Sequence, residues 1–136
     1  MKVLKIAAVL GLFVLGLGSC KKEVTQVVNQ VFSVTYTIQT TDWVLDNSGL
    51  NYYKVDLNVP EVDNVVVRDG GVLVYLSFDN GASFDALPED VGGYTYNAFH
   101  AASTVTVGYR ADSGNPAALP SGVVLAKVVI LDGSPL

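Results

Sequence analysis

Sulfur, imidazole and charge are all scarce in this sequence of 136 residues. Cys20 is its only cysteine and His100 its only histidine. The mature chain therefore has no pair of thiols for a disulfide and no set of imidazoles for a multi-histidine zinc site. Only 15% of the residues are charged, and the formal net charge is −5. Nucleic acid is not an expected partner, because phosphate binding requires clustered cations.

The one long apolar run stands at the N terminus. Lys2 and Lys5 precede the uninterrupted apolar residues 6–17, and small residues follow. A basic start, an apolar run and a small-residue processing site are typical of a bacterial signal peptide. A transmembrane helix needs roughly 20 apolar residues, so this shorter run does not predict a permanent membrane span.

The end of that run contains the residues Leu17, Gly18, Ser19 and Cys20. In this order they resemble the lipobox of bacterial lipoproteins. The resemblance implies a diacylglyceryl thioether on Cys20, cleavage before it, and acylation of the new N terminus. A soluble secreted protein with a conventional cleavage site is the alternative. Several acyl chains, at about 0.8 kcal/mol for each buried CH₂, anchor a protein stably.

The predicted localisation follows from the second residue of the mature chain, Lys21. The resemblance to lipoproteins implies that an aspartate at this position would favour retention at the inner membrane. With lysine there, the resemblance implies a lipid-anchored protein of the cell outer membrane, with the side on which the domain lies left open.

Three segments are predicted: a signal peptide at 1–19, a lipidated tether at 20–30 and a folded domain at 31–136. Removing 19 residues from 136 leaves 117, which is enough for one domain with its own core and too few for two. The same cleavage removes Lys2 and Lys5 and shifts the formal charge from −5 to −7.

Apolar and polar residues alternate with a period of two along most of the domain, which predicts strands. The main predicted strands are 31–39, 53–59, 72–78, 94–100, 104–110 and 123–131. Shorter candidates lie at 65–67 and 84–87, and residues 60–63 fit one helical turn. Run 72–78 is apolar on both faces, which indicates a central, buried strand, and run 123–131 is nearly all apolar, which predicts a final strand inside the sheet. We predict an all-β domain, an antiparallel β-sandwich of about eight short strands, with a partly open β-barrel as the alternative.

Several phrases of the domain resemble one family. They are Val59-Pro60-Glu61-Val62, Gly70-Gly71-Val72-Leu73-Val74-Tyr75, Ala86-Leu87-Pro88 and Ala126-Lys127-Val128-Val129-Ile130-Leu131, with Trp43 and Tyr53 before them. In this order they are similar to small Bacteroidetes lipoproteins whose β-module also occurs at the C terminus of collagen-like repeat proteins. The resemblance spans roughly residues 31–133 and implies a β-sandwich, with no catalytic signature to carry over.

Catalytic motifs are few and incomplete. Asp112-Ser113-Gly114 has the form of an aspartic protease loop, but it occurs once and lacks the apolar strand that leads into such a loop. His100 and Ser103 are not part of a Gly-x-Ser-x-Gly elbow. The loop carboxylates lack EF-hand spacing, with Asp42, Asp46 and Asn47 the best calcium candidates. We expect no enzyme, no cofactor and no metal, and hydrolysis is the remote alternative.

Aromatic residues are the remaining signal for a ligand. Exposed rings on a sandwich can stack on sugars or fill a protein interface. The candidates are Trp43, Tyr52, Tyr75, Tyr94 and Tyr96. The sequence favours core packing for Trp43 and strand pairing for the tyrosines, with the ligand-facing role as the alternative. The sequence predicts a membrane-anchored, non-enzymatic structural or interaction module of the cell envelope, bound to an envelope protein. A glycan-binding accessory lipoprotein is the alternative.

Overall fold

The structure is a computed structural model that describes residues 31–46, 48, 52–114 and 118–133. The predicted signal peptide, the lipidated tether and the residues of the lipobox lie outside this range. The described strands are β1 (Val31–Ile38), β2 (Val44–Asp46), β3 (Tyr52–Asn58), β4 (Gly71–Ser77), β5 (Asp85–Ala86), β6 (Glu89–Val91), β7 (Tyr94–Ala101), β8 (Thr104–Ala111) and β9 (Val124–Leu131). A 3-10 helix (Thr40–Asp42) and helix α1 (Asn64–Asp69) complete the described elements.

These strands form two antiparallel sheets. Sheet 1 has the order β1-β9-β4-β5, and sheet 2 has the order β2-β3-β8-β7-β6. The chain passes from sheet 1 to sheet 2 through Leu87 and Pro88, between β5 and β6. The all-β sandwich predicted from the alternating pattern is confirmed, with nine described strands where about eight are expected.

The core lies between the sheets and consists of the residues that alternate inward. Sheet 1 contributes Ile38, Val74, Leu76, Val124, Ala126, Val128 and Ile130. Sheet 2 contributes Val55, Leu57, Tyr96, Val105, Val107 and Tyr109. Full burial of a side chain such as Val or Leu stabilises the fold by about 1.5–3 kcal/mol. These positions fix the register of every long strand, because a slip by one residue would turn the apolar set outward.

Residues 65–67, predicted as a short strand, belong instead to helix α1. Asp63 caps the helix, and its Oδ1 accepts hydrogen bonds from the N–H groups of Val65 and Val66 at 2.9 and 2.8 Å. Val66 is buried against the core. The cap and this burial outweigh the strand propensity of three consecutive valines. Gly70 ends the helix where a Cβ would collide with the carbonyl oxygen of Leu131.

Strands β4 and β9 are central in sheet 1, as their apolar sequences predict. The prediction that β4 is buried on both faces is wrong. Leu73 of β4 is 46% exposed, and Leu125, Val129 and Leu131 of β9 are only partly covered. Among the described residues, the segment after β4 covers one end of this side, with Gly81 beside Leu125 and Phe84 against Lys127. Val31 and Leu73 face outward and are exposed.

Candidate functional site

The five aromatic residues predicted as ligand-facing do not share one surface. Trp43 is 5% exposed and Tyr96 is also buried, so both belong to the core. Tyr94 is half-buried and packs against that core. Tyr75 lies on the outer side of sheet 1, and Tyr52 lies on the outer side of sheet 2. The structure therefore corrects the grouping, and only Tyr52 and Tyr75 lie on outward faces.

The ring of Tyr109 is surrounded by three of the predicted ligand-facing residues, Trp43, Tyr94 and Tyr96. Their ring centroids lie 4.9, 6.1 and 5.2 Å from that of Tyr109. The Tyr109 hydroxyl donates a hydrogen bond to the carbonyl oxygen of Ala118 at 2.7 Å, and burial raises the pKa of this hydroxyl. Aromatic pairs of this geometry stabilise the fold beyond their buried area. Trp43 therefore packs in the core and does not face a ligand.

The first candidate surface is the outer face of sheet 1, which we call the apolar face. Its apolar members are Val31, Leu73, Tyr75, Phe84, Leu125, Val129 and Leu131. Lys127 is the one charged residue among the described residues that point outward from β1, β4 and β9. Its Nζ lies 4.7 Å from the Tyr75 ring centroid and 4.4 Å from that of Phe84. The aromatic rings therefore partly shield even this charge.

The edge of sheet 1 beside the apolar face is strand β1. Among the described strands, β1 pairs with β9 on one side and with none on the other. Its sequence, VFSVTYTI, contains no charged residue and no proline. Natural edge strands commonly use such residues to prevent pairing with another chain. The β1 edge and the apolar face together form a continuous surface suited to another protein.

The second candidate surface is a pocket on the outer face of sheet 2, which we call the Gly108 pocket. Tyr52, Asn97, Phe99, Gly108, Tyr109 and Arg110 line it, and its volume is about 210 Å³. Gly108 lies on the central strand β8, opposite Lys54 of β3 and Asn97 of β7. A side chain there would meet ring atoms of Tyr52 at 3.2 and 3.3 Å. The glycine therefore leaves space that the Tyr52 ring partly covers.

Tyr52 is held at both ends of its side chain. Its ring packs on Gly108, and its hydroxyl donates a hydrogen bond to Asp46, which raises the pKa of Tyr52. Hydrogen bonds from the side chain and backbone of Ser48, and from Tyr52, lower the pKa of Asp46 to about 2. Lys54 lies 3.7 Å from the same carboxylate. The ring is thus a fixed wall of the pocket.

Sequence reasoning missed the other members of the Gly108 pocket. Phe99 is 53% exposed, Asn97 is half-buried and Arg110 is exposed. A glycine in the middle of a strand marks a close approach or an open space. Gly108 interrupts the alternation of β8 and was the one available sequence signal for a pocket. The sequence did not show which residues surround it, because they come from β3 and β7.

The catalytic motifs weighed in the sequence remain apart. His100 is exposed on β7, whereas Ser103 lies in the following turn, where its N–H donates to the carbonyl oxygen of Val62. Asp112 accepts a hydrogen bond from the Thr95 hydroxyl at 2.8 Å and begins an exposed turn. No group of three metal-ligating side chains occurs among the described residues.

Comparison with protein-family models, curated proteins and solved structures finds no match to this chain. The resemblance to Bacteroidetes lipoproteins therefore stays a prediction from the quoted residues. In the described part of the chain, neither helix has the length and apolar character that crossing a membrane requires.

Proposed function

We propose that this protein is a lipid-anchored, non-enzymatic interaction module of the cell envelope that binds another envelope protein through the apolar face and the β1 edge. The observation that carries the proposal is the continuity of these two surfaces. Apolar outer residues that the core does not use lie directly beside an uncharged strand edge.

Contrast with the rest of the domain supports the use of this face. Residues 31–133 contain four cations and twelve carboxylates, a formal charge of −8. The described outward residues of β1, β4 and β9 nevertheless include no carboxylate. Exposed apolar patches on soluble domains commonly mark interaction sites. The partner surface is expected to be apolar, with a hydrogen-bond acceptor near the Lys127 ammonium group.

Anchoring rests on the resemblance of Leu17, Gly18, Ser19 and Cys20 to a lipobox. The first experiment is fractionation of cells that express either the natural chain or the Cys20→Ala variant. The natural chain is expected in the outer-membrane fraction, and the variant is expected to leave it. Retention of Cys20→Ala in that fraction would contradict lipid anchoring while leaving the protein contact to be tested separately.

The protein contact is tested by photo-cross-linking in intact cells. A photo-reactive amino acid replaces Leu73 on the apolar face in one variant and Val44 in a matched control. Val44 lies on strand β2 of sheet 2 and is 60% exposed. Mass spectrometry then identifies the cross-linked proteins. With the probe at position 73 we expect a cross-link to one envelope protein. With the probe at position 44 we expect no cross-link to that protein.

Other results would reject the proposed contact. A second copy of this chain as the sole product at position 73 would mean that the surface serves self-association. Equal products at both positions would indicate non-specific contact. The absence of a product at position 73 would show that the apolar face has no protein partner under those conditions.

A further inference from the structure

The Gly108 pocket lies over strands whose main-chain groups are already used. In the described sheet, β8 pairs with β3 on one side and with β7 on the other, and the Gly108 pocket spans these three strands. A peptide cannot add there as an extra strand, because strand addition needs a free edge. Any ligand of this pocket must therefore be recognised by the side chains around Gly108.

Two aromatic walls define the apolar part of that recognition. The ring of Tyr52 is fixed by Asp46 and Gly108, while Phe99 points outward from β7 and is 53% exposed. Phe99 makes no contribution to the buried core. Aromatic faces carry negative charge density and attract the slightly positive hydrogens of a ligand's C–H groups. The walls therefore suit a ligand with a flat face of C–H groups.

Arg110 supplies the charged group for ligand recognition in the pocket. Of the four cations among the described residues, Lys54 lies near Asp46 and Asp56, Arg68 pairs with Asp69, and Lys127 lies over two rings. Arg110 lines the pocket and forms no ion pair with a described carboxylate, although Asp90 and Asp112 lie at the hydroxyl of Thr95, its neighbour on β7. A guanidinium group binds a carboxylate through two parallel hydrogen bonds. The guanidinium group of Arg110 is thus available to bind an anionic group of the ligand.

Asn97 adds a neutral donor and acceptor to the same pocket. A ligand that matches all these groups has a C–H face, hydroxyl groups and one carboxylate. The pocket, with a volume of about 210 Å³, has room for one small ring. Single-stranded nucleic acid also stacks on aromatic rings, but its phosphate backbone requires several clustered cations, and Arg110 is the one described cation that lines the pocket.

We propose that the Gly108 pocket binds a saccharide ring that carries a carboxylate, such as a uronic acid unit of an envelope glycan. Tyr52 and Phe99 contact the C–H face of the sugar, Asn97 binds hydroxyl groups, and Arg110 binds the carboxylate. The site lies on sheet 2 and the apolar face lies on sheet 1, although Asn97 and Phe99 also line a second pocket together with Leu73 of the apolar face. The contacts of the site come from the pocket's own residues and not from the lipid anchor or the protein partner.

The test is a nuclear magnetic resonance titration of the purified full chain in detergent micelles. D-galacturonate is the acidic probe, D-galactose the neutral probe and acetate the carboxylate without a sugar ring. We expect galacturonate to shift the amide signals of Asn97 and Gly108 and to bind about tenfold more tightly than galactose, a typical effect of one charged hydrogen-bonding group. Acetate should bind more weakly than galacturonate.

Matched variants assign the effect to the pocket. Arg110→Gln should remove the preference for galacturonate over galactose, and Phe99→Ala should weaken binding of both sugars. Arg68→Gln removes an exposed cation that pairs with Asp69, away from the pocket, and should change neither affinity. Each variant must retain the dispersed spectrum of the folded chain, so that a loss of affinity is not a loss of fold.

Four results would overturn the proposal. Equal affinity for both sugars would remove the role of the carboxylate, and equal affinity for acetate would remove the role of the ring. Equal weakening by Arg68→Gln and Arg110→Gln would indicate a general charge effect. Galacturonate shifts confined to residues outside the pocket, or no shifts at all, would show that the pocket does not bind this class of ligand.

Discussion

The two outer faces of the sandwich differ far more than the two inner faces. Both sheets turn valines and leucines inward. Outward, the described residues of β4 and β9 are mainly apolar, with Lys127 as their one charge. Sheet 2 instead presents the charges of Lys54, Asp56 and Arg110 beside the rings of Tyr52 and Phe99. The difference shows that the inner pattern builds the fold, while the outer pattern of each sheet is free to serve a different contact.

Residues of the same strand can therefore have opposite roles, as β4 illustrates. Val74 and Leu76 alternate with Leu73 and Tyr75 along this strand. The first pair is buried in the core, and the second pair belongs to the apolar face. All four are apolar or aromatic, so their chemistry alone does not reveal which pair holds the sheets together.

The largest expected effect separates the inner and outer sides of β4. Leu76 is completely buried, and Leu76→Ala should lower the free energy of unfolding by about 2–5 kcal/mol. Leu73→Ala, on the apolar face, should change it by about 0.5 kcal/mol or less. Urea denaturation of both variants measures the two changes. Similar losses would mean that the apolar face contributes to the fold as much as the core does.

The next effect compares a glycine on each outer face. Gly108→Ala brings a Cβ within 3.2 Å of the Tyr52 ring, and we expect a destabilisation of about 1–3 kcal/mol as the ring is displaced. At Gly71 a Cβ would meet only the Leu131 side chain, at 3.7 Å. Gly71→Ala should be neutral or stabilising by about 0.4–1 kcal/mol. Equal tolerance at both positions would show that Tyr52 is not held against Gly108.

A smaller effect distinguishes the lysines of the two faces. Lys127→Gln removes a cation from two aromatic rings and should cost about 0.5–1 kcal/mol, with little dependence on salt. Lys54→Gln removes exposed ion pairs of 3.7 and 4.0 Å and should cost less, with the loss disappearing at high salt. Unfolding at low and high ionic strength measures both. A salt-sensitive loss of stability in Lys127→Gln would contradict the assignment of Lys127 to a cation–π contact with the two rings.

The smallest effect concerns acid stability on the side of sheet 2. Because the pKa of Asp46 is lowered to about 2 in the folded protein, its contribution is present above about pH 4 and is lost as the pH falls through 2. Asp46→Asn should therefore reduce the loss of stability between pH 4 and pH 2. Asp79, whose pKa is also about 2, provides a comparison variant, Asp79→Asn, in the turn after β4. Unchanged acid unfolding in Asp46→Asn would contradict this contribution.

Much of the fold could be predicted from the sequence because strands with one buried face repeat every two residues. The alternation of Val105, Val107 and Tyr109 identifies β8, and the apolar run at 124–131 identifies a central strand. Helix α1 was missed because three valines favour a strand locally, whereas the Asp63 cap and the burial of Val66 decide the conformation.

The candidate sites were less predictable than the strands. Tyr52 was named as a ligand-facing residue, but Phe99 and Arg110 were not. These residues meet only because Tyr53 pairs with Tyr109 and Asn97 pairs with Gly108 across neighbouring strands. Pairing between strands that are distant in the chain depends on the order of the sheet, which no local period contains.

The sequence by itself determined the class of the domain, the inward residues of its long strands and the resemblance of its N-terminal region to a lipoprotein signal. Only the tertiary structure decided that Tyr96 packs in the core, that the outer side of β4 and β9 stays partly open, and that Arg110 lines a pocket with Tyr52. The physical reason is that alternation sorts a strand's residues into two faces, whereas burial of each face depends on which other strands and layers pack against it.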